Sequence, residues 1–205
     1  LHLSIRRQRQ MCIRDSPMSV DLSTNYLGLP LRNPIVASAG PIQQTTDGVK
    51  ALADAGVGAV VMYSLFEEQV RHEEARMAEV EMEYMNSFAE SLSFFPTVAS
   101  NAGGITEKYL KHLEASVKAV DVPVIGSLNA AGVGNWVKTA HRMQDAGASA
   151  LECNIYAVPD IGMSGPEIED RHIEIVSAVK DAIDIPVAVK VLSLYTHLRA
   201  HETRG

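Results

Sequence analysis

Twice in this chain a helical pattern ends in Asp-Ala-Gly and hands over at once to small apolar residues, in DAGVGAVV (54–61) and DAGASALE (145–152). A second phrase also recurs, VDVPVIGSL (120–128) being echoed by IDIPVAVKV (183–191). Glycine takes the left-handed conformation at little steric cost, so Gly56 and Gly147 fit the position just past a helix end. Pro123 and Pro186 sit where a helix has stopped and a strand begins. The repeated unit is therefore a helix, a tight stop and a buried strand. That unit restricts the chain to folds in which helices cover a parallel sheet.

The rest of the chain fits this rhythm. Strands are expected at 34–39, 59–65, 123–128, 149–155 and 186–192, and helices at 46–55, 106–119, 133–146 and 166–182. Each strand is a continuous apolar run rather than an alternating one, which means burial on both faces. The helices carry one apolar stripe, as in Ile173, Val176, Val179 and Ile183. Strands alternating with helices imply right-handed crossovers. Five strands do not close a (β/α)8 barrel, which takes about 250 residues. An open doubly wound sheet would be complete at this length, so periodicity leaves both architectures open.

Composition narrows the function. Of the 205 residues, 46% are hydrophobic and 21% charged, enough to bury a core. The formal charge of −7 argues against a nucleic-acid binder, which needs a basic surface. No apolar run is long enough for a transmembrane helix. Two distant cysteines, Cys12 and Cys153, form no CxxC pair, so neither a disulfide framework nor a metal site is expected and the cytoplasm is the default compartment.

Both ends look foreign to the rest. Residues 1–17 hold four arginines, and 1–17 and 195–205 resemble translated adapter sequence. The expected domain is 18–194, with Met18 as the natural start. Removing the flanks makes the remainder more acidic and leaves Cys153 as its cysteine. Residues 67–100 interrupt the rhythm with an acidic stretch, read either as a solvated helix or as a lid over a site.

In parallel α/β folds ligands bind beyond the carboxyl ends of the strands. The first run ends in Ala37, Ser38, Ala39 and Gly40, small enough for backbone groups to approach a ligand. It opens neither a P-loop nor a GxGxxG turn. The second ends in Tyr63 and Ser64. The third ends in Ser127 and Asn129, flanked by Gly126, Gly132 and Gly134, a turn that suits an anion only weakly. In the fourth, alternation sends Glu152 and Asn154 one way and Cys153 the other. Cys153 is then a small hydrophobe under the helices, and Asn154 a ligand contact. The fifth puts Lys190 inside an apolar run, where an unpaired ammonium is very costly. Lys190 either snorkels out, pairs with Glu152, or faces an electron-rich cofactor at the mouth of a barrel, and the last is the favoured reading.

NPIVASAG, VIGSLNAAG, ALECNIYAVPD and PVAVKVL, in this order, resemble the dihydroorotate dehydrogenase family, more narrowly its dihydroorotate dehydrogenase-like branch, over about residues 19–193. The resemblance implies an FMN-dependent (β/α)8 TIM barrel, here truncated after about five βα units. It implies an oxidoreductase acting on a CH–CH bond, turning dihydroorotate into orotate in pyrimidine (UMP) biosynthesis. Its partner would be a small-molecule substrate, not nucleic acid or a membrane, and it leaves room for a homodimer at full length. Ala37, Ser38, Ala39 and Gly40 would line the flavin, Asn129 and Asn154 would hydrogen-bond the ring or substrate, and Lys190 would stabilise negative charge on the reduced ring. Asn86 and Ser87, in NSFAESLSFFP, would be substrate contacts. The loops that hold the FMN phosphate in this family follow strands seven and eight, so 18–194 alone is expected to bind FMN poorly.

The sequence departs from the family twice. Family enzymes carry a lysine at the end of the second strand, where this chain has Tyr63. They also carry a Cys or Ser base in the loop after the fourth-strand asparagine, where this chain has Ala157 and Val158. Cys153 precedes Asn154 and does not replace that base, and a phenol such as that of Tyr156, ordinarily of pKa about 10, is a poor base at neutral pH. The catalytic base is therefore unassigned. Two other functions stay open: a flavin enzyme acting on another cyclic amide, and an FMN-binding barrel that lacks the dehydrogenase base.

Overall fold

The computed structural model describes residues 20–70, 72, 75–76, 104–129, 133–155 and 164–191. Asn86, Ser87, Gly132, Tyr156, Ala157, Val158 and most of the acidic stretch lie outside them. The chain opens with a hairpin of β1 (Thr24–Tyr26) and β2 (Leu29–Leu31), turned by Leu27 and Gly28 at φ 56° and 79°. Positive φ at both turn residues suits the twist of a two-residue hairpin. Periodicity gives no hint of this hairpin, because its strands are only three residues long.

A parallel sheet follows: β3 (Val36–Ala37), α1 (Thr46–Asp54), β4 (Ala59–Val61), β5 (Leu65–Phe66), α2 (Ile105–Ala119), β6 (Val124–Asn129), α3 (Val133–Asp145), β7 (Ala150–Ile155), α4 (Gly165–Ala182) and β8 (Val187–Val191). Spatial order follows chain order, β3-β4-β6-β7-β8, with β5 continuing the β4 strand line along β6. A doubly wound sheet would reverse direction at a switch point; among the described residues there is none. The sheet curls as half a barrel, with its helices on one face.

The repeated phrases fold alike. At the end of α1, Gly56 N–H donates to Ala53 O and Val57 N–H to Leu52 O. At the end of α3, Gly147 N–H donates to Gln144 O and Ala148 N–H to Met143 O. Both are Schellman stops, with Gly56 and Gly147 at φ 96° and 91°. Helices α2 and α4 instead leave through extended residues, Val120 and Ile183, ahead of Pro123 and Pro186.

Two apolar layers flank the sheet. The larger lies under the helices and joins Val49, Leu113, Trp136 and Val179 to the strand residues Val60, Leu128, Leu151, Cys153 and Ile155. The smaller lies on the inner, concave face, where Leu31 of the hairpin packs on Ala59, Val61, Ile125 and Ala150. The hairpin therefore plugs the end of the half-barrel where the strands begin.

Candidate active site

The inner face changes character along every strand. In β6 the inward residues run Ile125, Ser127, Asn129. In β7 they run Ala150, Glu152, Asn154, and in β8 Ala188 and then Lys190. The register sets Glu152 beside Ala188 and Asn154 beside Lys190, and paired residues of a parallel sheet share a face. Each inward stripe is thus apolar near the hairpin and polar at the carboxyl end. A cavity of about 480 Å³ opens on this face, with Val36, Ser38, Val61, Ile125, Glu152 and Ala188 among its walls.

The polar tier is one connected network. Lys190 Nζ lies 2.7 Å from Glu152 Oε1, with the Glu152 side chain 15% exposed and the Lys190 side chain 40%. Ser127 Oγ donates to the same Glu152 oxygen at 3.1 Å. Asn154, fully buried, donates from Nδ2 to Ser127 Oγ at 2.8 Å and also approaches Ser64 Oγ at 3.2 Å and Leu128 O at 3.3 Å. Ser64 and Ser127 hydroxyls are 2.9 Å apart. A hydroxyl has one proton to give and two lone pairs. Ser127 gives its proton to the carboxylate, so both its lone pairs accept, one from Asn154 and one from Ser64.

Cys153 has the opposite surroundings. It is fully buried under the helices, and burial, followed by the nearby Glu152 charge, pushes its thiol from an ordinary 9.0 up to about 12. A thiol in that state is neither a nucleophile nor a base near neutral pH. It is core, as alternation predicts.

The first strand exit is held from the helix side. Ala37 faces the helical layer, whereas Ser38 faces the cavity and Ala39 packs against the inner apolar cluster. Buried Gln43 donates from Nε2 to Ser38 O at 2.7 Å, and His112 Nε2 donates to Gln43 O at 2.7 Å. Gly48 lets this turn close: a Cβ there would lie 1.9 Å from Ile42 O. Tyr63 also belongs to the helix side. Its ring meets Tyr109 edge-on at 4.9 Å and stacks on His112 at 6.0 Å, and burial raises its phenol pKa.

The structure thus brings Glu152, Asn154 and Lys190 together and places Asn129 on the same face. The Lys190–Glu152 pair, one of the three options for that lysine, forms. Sequence reasoning gives no role to the Ser64 hydroxyl, whose place in the network depends on how its strand pairs with β6.

Comparison with known proteins places the chain. The family of dihydroorotate dehydrogenase matches residues 21–200. The catalytic subunit of dihydroorotate dehydrogenase B (NAD(+)) from Thermoplasma acidophilum is 28% identical over 174 residues, covering 83% of this chain and 54% of the relative. The same subunit from Methanocella arvoryzae is 27% identical over 179 residues, covering 87% and 56%. The chain spans about half the length of these curated relatives. Among solved structures, a dihydrodipicolinate synthase from Agrobacterium tumefaciens aligns over 80% of this chain and 44% of its own, at 15% identity and TM-score 0.43. With residues 21–200 matched, the chain belongs to the dihydroorotate dehydrogenase family.

Proposed function

We propose that residues 18–194 form the first five βα units of a (β/α)8 barrel that binds FMN and oxidises dihydroorotate to orotate. The observation that carries this reading is that Asn154 and Lys190 are register partners on the inner face, above an apolar floor. A flavin ring asks for a flat apolar bed and for hydrogen-bonding groups at its edge. The cavity walls Val36 and Ala188 would border the first, over a layer closed below by Leu31, Val61 and Ile125, and Asn129, Asn154 and Lys190, further along the same face, would supply the second. The residues present fit the group.

FMN, when bound, supplies a two-electron acceptor. The chain's own residues position and polarise. Asn129 and Asn154 hydrogen-bond the ring or the substrate, and the exit formed by Ala37, Ser38, Ala39 and Gly40 offers backbone groups to it. Lys190 holds a fixed positive charge where negative charge develops, which costs no reorganisation during reaction. Its pairing with Glu152 keeps the side chain in place and tempers that charge. Dihydroorotate must also lose a proton from carbon, a step for which a placed base is worth about 10²–10⁴-fold. Cys153 is excluded from that role by its burial and its orientation.

A second reading, reduction or oxidation of another cyclic amide on the same bed, follows from Ala157 and Val158 standing where the family has its base. Anaerobic mixing of the FMN-loaded intact protein with dihydroorotate separates the two. Loss of the oxidised-flavin absorbance is expected. An unchanged spectrum with dihydroorotate, together with bleaching by a different cyclic amide, transfers the assignment to the second reading. FMN bound tightly and reduced by no donor would leave a binding barrel without dehydrogenase chemistry.

A further inference from the structure

The strand that carries Tyr63 and Ser64 does not run in constant register with β6. Val60 pairs with Val124 and Val61 with Ile125, and then Leu65 pairs with Leu128 and Phe66 with Asn129. Residues 62, 63 and 64 therefore face only 126 and 127. The strand line holds one extra residue, a β-bulge. A slip of one residue moves a side chain to the other face of a sheet, and bulges re-aim side chains in this way. Without it, Tyr63 would stand opposite Ser127 and project into the half-barrel. With it, Tyr63 packs on Tyr109 and His112, and Ser64 takes the inward place.

We propose that this bulge makes Ser64 a positioning residue of the site: it holds the Asn154 amide through Ser127 and ties it to the Glu152–Lys190 pair. Ser127 cannot turn away, because its proton is committed to Glu152 and its lone pairs to Asn154 and Ser64. Its backbone is held too, by an exchange with the Tyr109 hydroxyl: Ser127 N–H donates at 3.2 Å and Ser127 O accepts at 3.3 Å. Ser64 thus completes the chain Ser64, Ser127, Glu152, Lys190 by donating to the Ser127 lone pair that Asn154 leaves open. The Asn154 Nδ2 group is fixed toward the two serines by the same contacts. Its consequence for a flavin rests on the proposed function above; its consequence for Asn154 does not.

The test reads both in the full chain. The ¹⁵N side-chain amide signal of Asn154 is followed in ligand-free protein, and FMN affinity by titration, for Ser64→Ala, Ser64→Thr and Ser64→Cys. Ser64→Ala should shift the Asn154 signal, speed its exchange with solvent and weaken FMN binding about fivefold, the equivalent of one ordinary hydrogen bond. Threonine should restore both, and cysteine, a weak donor, should fall between. An Asn154 signal unmoved by Ser64→Ala, or an order of variants that ignores donor strength, overturns the proposal. If a barrel carrying all eight strands binds no FMN, the flavin assignment fails, while the amide signal still decides the role of Ser64.

Discussion

Strand β7 shows two chemistries on one backbone. Its helix-facing residues, Leu151, Cys153 and Ile155, are all buried and all apolar in behaviour. Its inward residues, Ala150, Glu152 and Asn154, pass from core to charge to a buried amide within three positions. The outer stripe is stabilised by removal of apolar surface from water, which is insensitive to which partner supplies the contact. The inner stripe depends on named partners, because a buried polar group without its hydrogen bonds is costly. One face therefore holds the fold, and the other holds a polar network that depends on its own partners.

The largest effect should come from the outer face. Leu151→Ala, at a fully buried position, should destabilise the chain by about 2–5 kcal/mol in chemical denaturation. A loss well below that range would show that the helical layer is not the main support of the sheet.

The inner face should respond less in stability and more in coupling. Lys190 is 40% exposed, so removing it as Lys190→Met should cost only about 1 kcal/mol. Glu152 is more deeply placed and also accepts from Ser127, so Glu152→Gln should perturb both neighbours. The double variant should be less destabilised than the sum of the singles, as expected of residues that share one interaction. Strict additivity would mean that the pair contributes nothing.

The smallest effect at neutral pH, growing only in alkali, concerns Cys153. Its thiol pKa is raised from 9.0 to about 12 by burial and then by Glu152. Below pH 9 the thiol is protonated in both folded and unfolded chains and contributes no pH dependence. Above 9 the unfolded chain loses its proton first, so stability falls as pH rises from about 9 to about 12. Tyr63 and Tyr109, both raised by burial, add a decline of the same sign. The difference in melting temperature between the unmodified protein and Cys153→Ala isolates the thiol part and should change with pH only in that window.

Much of this molecule is legible in order along the chain. The continuous apolar runs and the Asp-Ala-Gly stops locate five strand positions and four helices to within a few residues. Alternation alone separates Cys153 from Glu152 and Asn154. The N-terminal hairpin escapes notice because its strands are too short for periodicity to register, and its turn places Leu27 as well as Gly28 at positive φ. The expected strand over 59–65 appears as two pieces, Ala59–Val61 and Leu65–Phe66.

Those two pieces mark a boundary between local and non-local information. Periodicity and turn chemistry act over a few residues, so the amino-acid order is enough to fix which segments become helix and strand. It also fixes which side chains of an undisturbed strand share a face. Folding in three dimensions is needed to turn Ser64 rather than Tyr63 inward, to bring Lys190 to Glu152 and to seat the hairpin in the half-barrel. Each of these depends on register between strands distant in sequence. A single added residue in one strand is invisible until its neighbour is present to be counted against it.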